Sequence, residues 1–232
     1  MRHLLTFCLL ITLNVQAGDS SLPKLPRNTI FSQYRVLIST EIEHPVTKEK
    51  MKGYTPIGTA IGISDTILLL GKHEIEHAPK DTYTIDICDE ETGWVKERLD
   101  AEVYRSSDNL DLALLKLKAG RLPRHINLGK LSDKVDYKKF HIGDWVCAIG
   151  AKHGLSPYSI TWGQIATKRH EMFEDYWQAS ASVSGGNSGG GMYNEDGQFI
   201  GIALMRWGDN SCVLFLPINI IKTWIQDANV KL

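Results

Sequence analysis

Cysteine is scarce in this 232-residue chain, with only Cys8, Cys88, Cys147 and Cys212. Their spacings match no zinc pattern, and so few thiols exclude a fold stapled by a disulfide framework. A surplus of one charge is lacking too. The 26 Lys and Arg stand against 27 Asp and Glu, a net of −1, so nothing marks a nucleic acid or other polyanion as a partner. Pairs such as Lys138-Lys139 read as solvated surface. Beyond the N-terminus there is no long apolar run, hence no segment to span a membrane. Low-complexity tracts and internal repeats are absent. What remains is 43% hydrophobic and 23% charged, a globular composition. The length suits one large domain or two half-domains sharing a core.

The single apolar run lies at the start. Met1-Arg2-His3 is a short basic opening, Leu4 to Val15 is apolar, and Val15-Gln16-Ala17 offers small residues where a signal peptidase reads. This order predicts a signal peptide over residues 1–17 and export of residues 18–232, to the periplasm or the medium. Cys8 lies inside the apolar run with no cleavage-ready stretch after it, which argues against a lipid anchor. Removal of the leader takes away Arg2 and no acid, so 26 basic residues become 25 against 27 acidic. The remaining protein is expected to be soluble and off the membrane. Its three cysteines allow at most one internal disulfide and read as small buried hydrophobes.

Short β-rich segments separated by turn residues fill the chain. Tyr34 to Thr40, Gly58 to Ile63, Thr66 to Leu70, Thr82 to Ile87 and Leu112 to Leu117 make up the first half. Ser64-Asp65 reads as a hairpin turn. Ala119 to Ile142, rich in charge and punctuated by Gly120, Pro123 and Gly129, reads as a connection. Trp145 to Gly150, Ser159 to Thr167, Tyr176 to Val183, Gly190 to Tyr193, Gln198 to Met205 and Cys212 to Leu216 follow, with Asp196-Gly197 as a turn. This pattern predicts an all-β sandwich or barrel. Ile220, Ile221, Trp224 and Ile225 recur at helical spacing and predict a closing helix from Ile218 to about Asn229.

Gly185-Gly186-Asn187-Ser188-Gly189-Gly190-Gly191 is the sharpest chemical signal. A hydroxyl nucleophile needs exposure and a nearby anion hole, and glycines let the backbone turn tightly around it. The amides of Gly186 and Ser188 are candidates for that hole. A flexible Gly-Ser linker is the bland alternative, but the stretch sits between two strand-like segments. Serine at neutral pH needs a base. His73, just past the apolar strand Thr66 to Leu70, is the candidate. Asp111 at the mouth of Leu112 to Leu115 is the candidate orienting acid, with Asp108 as the fallback.

Together these residues resemble the chymotrypsin-like peptidases, and within them the bacterial HtrA (DegP-like) protease domains. The order His, Asp, Ser matches, with spacings of 38 and 77 residues. Gly58 to Ser64, Ser107 to Leu117, Gly143 to Gly150, Thr161 to Ile165 and Gly186 to Gly190 with Gly197 to Ile202 resemble the family's blocks in order. The resemblance covers roughly residues 30 to 228. It implies two packed six-stranded barrels, about residues 30–118 and 143–217, with a C-terminal helix. It also implies a serine endopeptidase acting on proteins or peptides through an acyl-enzyme, without metal or cofactor. No PDZ module is expected within the chain. Gly191 stands where the family usually has proline, and Gly71 where it usually has Ala or Asn. Asn187 stands where trypsin has the aspartate that pairs with a new N-terminus, so no activation of that kind is expected. By the same resemblance Ser182 lies at the base of the primary pocket. Leu204, Met205 and Trp207 lie near its wall, implying medium apolar residues as targets.

Three rival readings stay open. His73-Glu74-Ile75-Glu76-His77 spells H-E-x-x-H, which on a helix holds zinc between two imidazoles, with Glu74 as base and Glu97 as a possible third ligand. Pro79 cuts any such helix short. A noncatalytic barrel that only binds a partner is the second. A glutamyl specificity, with His170 near enough in sequence to serve it, is the third.

Overall fold

The computed structural model describes residues 25–128, 140–154, 158–171, 174–207 and 212–230. The leader expected over residues 1–17 lies outside them, as do residues 129–139 of the expected connection. Twelve strands run through the described residues. β1 (Gln33–Glu43), β2 (Lys50–Gly62), β3 (Ile67–Leu70), β4 (Tyr83–Cys88), β5 (Val95–Ser106) and β6 (Ala113–Leu117) close into one barrel, in the order β1-β2-β3-β6-β5-β4. β7 (Trp145–Gly150), β8 (Ser159–Glu171), β9 (Glu174–Ser182), β10 (Gly191–Asn194), β11 (Phe199–Trp207) and β12 (Cys212–Pro217) close into a second, in the order β10-β11-β12-β9-β8-β7. All neighbouring strands are antiparallel. The α-helices lying wholly within the described residues are α1 (Arg27–Phe31), α2 (Lys72–His77) and the closing α3 (Ile218–Asp227). This is the all-β, two-barrel architecture with a C-terminal helix that the resemblance implied.

The turn chemistry read from sequence operates as expected. Ser64 Oγ accepts from the Ile67 amide at 3.1 Å, closing the bend between β2 and β3. Gly197 takes φ +73° between β10 and β11, a left-handed value that glycine adopts without strain.

The four residues of β3 show how the barrels meet. Successive strand side chains point to opposite faces. Leu68 and Leu70 pack inside the first barrel with Leu115 and Ala113 of β6. Ile67 and Leu69 face the other way and join Leu112 and Leu114 in a cluster shared with Val146, Ile149, Ile202 and Leu214 of the second barrel. Both faces of β3 are therefore buried, which is why its sequence is an unbroken apolar run rather than an alternation. α3 covers the second barrel with Ile218, Ile221 and Ile225, all buried at one-turn spacing. Cys88 and Cys147 are buried, Cys212 is half-buried, and all three are free. No helix among the described residues is long and apolar enough to cross a membrane.

Candidate active site

Strand pairing brings the first two candidates together. β3 and β6 run antiparallel with Leu70 opposite Ala113. His73 lies three residues past the end of one strand and Asp111 two residues before the start of the other, so both emerge at the same rim. His73 sits on α2, a helix of six residues, where the sequence suggested only a strand end. Asp111 meets it twice. Its Oδ1 accepts from the His73 main-chain amide at 2.8 Å, and its Oδ2 lies 2.6 Å from Nδ1. Asp108, the fallback, is exposed in the preceding loop.

The other ring nitrogen has a partner that the sequence reading did not foresee in this role. Glu74 Oε1 lies 3.2 Å from His73 Nε2, and the Glu74 side chain is 3% exposed. Burial alone lowers the imidazole pKa, but the hydrogen bonds and charges of Asp111 and Glu74 outweigh it and raise His73 to about 10. Burial raises Asp111 too, yet its bonds to His73 win and hold it below the ordinary carboxylate range. Glu74 is pushed up, chiefly by burial, with His73 pulling it back only in part.

Ser188 comes from the loop between β9 and β10 in the second barrel. Its hydroxyl donates to the Leu204 carbonyl at 3.0 Å, and no hydrogen bond among the described residues joins it to His73. Gly71 lies between the His73 ring and the side chain of Leu204, whose carbonyl holds the Ser188 hydroxyl. A Cβ there would stand 2.8 Å from His73 Cε1 and 3.1 Å from Leu204 Cδ2. The loop is shaped by glycine. Gly186 takes φ +91° and Gly189 φ +79°, and a Cβ at Gly186 would sit 2.3 Å from the Ala151 carbonyl. The amides of Gly186 and Ser188 donate to no acceptor among the described residues, whereas those of Asn187, Gly189 and Gly190 are all taken.

Thr59 of β2 ties this loop to the first barrel. Its Oγ1 donates to the Gly186 carbonyl at 2.6 Å and accepts from the Ala151 amide at 2.8 Å, while its own amide donates to the Ser188 carbonyl at 2.9 Å. Asn187 is buried, its Oδ1 accepting weakly from the Ser184 amide and hydroxyl at 3.4 Å. Its Nδ2 is buried and meets no hydrogen-bond partner among the described residues.

A cavity of about 260 Å³ opens beside Ser188, with Val183, Ala203, Leu204, Met205 and Val213 among its walls. Leu204 and Met205, two of the residues expected at the wall of a primary pocket, line this cavity. Ser182, expected at the base, is not among the lining residues; it is exposed at the end of β9, its carbonyl accepting from Thr161 Oγ1. Val183, one residue past the end of β9, is buried and lines the cavity instead. The side chains of Trp207 and His170 lie outside the described residues.

The metal reading does not take shape. Asp111 and Glu74 occupy both nitrogens of the His73 ring, His77 is exposed with its ring 6.0 Å from that of His73, and Glu97 is exposed on β5 opposite Ile87. Among the described residues no three His, Cys, Asp or Glu are grouped to hold a metal ion.

Residues 58–202 match the family model of the trypsin-like peptidase domain, more than half of the chain. Among curated relatives, a probable periplasmic serine endoprotease, DegP-like, of Chlamydia pneumoniae is 32% identical over 171 residues, 71% of this chain and 31% of that protein. A protein of the same description from Hahella chejuensis is 34% identical over 111 residues, 46% of this chain and 22% of that protein. The chain thus spans less than a third of the length of these relatives. Among solved structures, the HtrA-type protease AlgW with decapeptide superposes with a TM-score of 0.70 at 19% identity, over 85% of this chain and 64% of that one. The barrels, the order of the blocks and the matched family model lead to one conclusion: the chain belongs to the trypsin-like peptidase family and carries a protease domain of the HtrA, DegP-like kind.

Proposed function

We propose that this protein is an exported serine endopeptidase in which Ser188 attacks the peptide carbonyl, His73 carries the proton and Asp111 orients the ring. The observation that carries the reading is the double contact of Asp111 with His73 at the barrel rim, beside a glycine-shaped loop that presents Ser188. Asp111 on Nδ1 fixes the tautomer that leaves Nε2 for the serine. The amides of Gly186 and Ser188 are the donors for the developing oxyanion. Ser188 forms an ester with the acyl half of the substrate as the amine leaves with the proton from His73. Water, deprotonated by the same base, then releases the acid. Val183, Ala203, Met205 and Val213 favour a small or medium apolar side chain before the cut bond, and among the described residues no acid lines the cavity to select Lys or Arg. Export rests on the sequence of residues 1–17 and on the periplasmic description of the relatives.

A fluorophosphonate probe tests the reading directly. Labelling of the protein lacking residues 1–17 that persists in EDTA and disappears in Ser188→Ala supports an activated serine. A folded protein that never labels, in any variant, contradicts it and favours a barrel that only binds.

A further inference from the structure

Two carboxyl groups face the His73 ring, one on each nitrogen, and the peptidase mechanism uses only one of them. A general base must offer Ser188 a lone pair on Nε2. At 3.2 Å from Glu74 Oε1, Nε2 either donates its N–H to a carboxylate or accepts the O–H of a protonated carboxyl. In both arrangements the lone pair is occupied. Ser188 correspondingly turns its hydroxyl to the Leu204 carbonyl.

The site is shaped around this contact. Glu74 is buried, so its carboxyl is held rather than waving in solvent. The room for it comes from Gly58 on β2, where a Cβ would fall 1.9 Å from Glu74 Oε2. The room for the ring comes from Gly71. The charged groups that act on the pair are Asp111 from the segment before β6 and His77 from the next turn of α2. β2 and β11 bring Gly58 and Leu204, neither of which titrates.

We propose that Glu74 is an internal latch on the general base: its buried carboxyl takes the His73 Nε2 position that Ser188 must occupy, and the enzyme rests until that contact is broken. The latch rests on the serine-peptidase reading above. Glu74 is in this sense a positioning residue acting through His73, opposite in effect to Asp111. When the carboxyl is withdrawn, Nε2 is free to receive the Ser188 proton.

The test compares the wild type with Glu74→Gln, Glu74→Val, Gly58→Ala and Ser188→Ala, each checked for folding by circular dichroism. Gly58→Ala leaves Glu74 in the chain but evicts its carboxyl. Fluorophosphonate labelling rates are measured from about pH 5 to 9, across the range in which imidazole titrates. At neutral pH, Glu74→Val and Gly58→Ala are expected to label at least about tenfold faster than the wild type, part of the about 10²–10⁴ that base catalysis supplies. The acid limb of the profile should move to lower pH, most clearly in Glu74→Gln. In peptide cleavage kcat should rise with KM little changed. Folded variants that label no faster than a labelling wild type overturn the latch and leave the peptidase reading intact. Absence of labelling in every folded form overturns both. Nitrogen-15 NMR of the wild-type imidazole supplies a readout that needs no foldable valine variant. An Nε2 signal that does not respond to Glu74→Gln also overturns the latch.

Discussion

Asp111 and His73 are joined at two points, side chain to main chain at 2.8 Å and side chain to ring at 2.6 Å. The first contact fixes where α2 begins and the second fixes how the imidazole is turned. One residue thereby sets both the position and the tautomer of the proposed base.

Asp111→Asn separates these roles. The amide oxygen can still accept from the His73 main chain, but the amide nitrogen opposite Nδ1 favours the tautomer with its proton on Nε2. The expected outcome is a loss in kcat on the order of 10⁴-fold with the fold retained, as tautomer reversal causes in triads of this design. Peptide hydrolysis followed beside circular dichroism measures it.

Stability should depend on pH through the same pair. His73 is raised from 6.5 to about 10, so the folded state binds its proton more tightly than the unfolded chain. That contribution is fully present below about pH 6.5 and fades as the pH rises toward 10. Asp111 is lowered, so its contribution is present above the ordinary carboxylate pKa and is lost in acid, as the pH falls through the lowered value. The unfolding free energy of the wild type from urea titration should therefore fall between about pH 6.5 and 9, with this proton contributing at most ~1.4 kcal/mol per pH unit. The decline should be much flatter in His73→Gln, and equal slopes in the two proteins would contradict the assignment.

Thr59→Val keeps the shape of the residue and removes its hydroxyl. The Gly186 carbonyl and the Ala151 amide then lose a partner at the barrel junction. A stability loss of about 2 kcal/mol or more is expected, since each buried unpaired group costs about 1–3 kcal/mol. The labelling rate of Ser188 should fall as well, because Gly186 belongs to the proposed anion hole. A variant that loses stability without any change in labelling would separate the junction from the site.

Much of this was legible in the sequence because it depends on local pattern. The strand segments, the hairpin at Ser64-Asp65 and the apolar face of α3 follow from the period of apolar residues and from turn chemistry. His73, Asp111 and Ser188 stood out because each sits next to a strand or a glycine run. Pairings between distant residues were not legible. Ser182 was placed by resemblance, and a sequence resemblance does not show that its exposed side chain stays out of the cavity that Val183 lines. Glu74 was visible only as part of H-E-x-x-H, and nothing in sequence shows that Gly58, sixteen positions earlier, leaves space for its carboxyl. Gly191 in place of proline likewise makes sense only in three dimensions. Its amide donates to Gln33 Oε1 at 2.9 Å, and a Cβ would meet the Tyr193 ring at 2.4 Å. Proline there could neither donate nor fit.

The alternation along β3 has a thermodynamic consequence. Ile67 and Leu69 serve one core while Leu68 and Leu70 serve the other, so this short strand is a party wall. Neither half can melt without stripping apolar side chains from its neighbour. The two barrels are accordingly expected to share a single cooperative transition, and a cut in the connection between them would leave each fragment with a sticky, water-exposed flank instead of an independent domain.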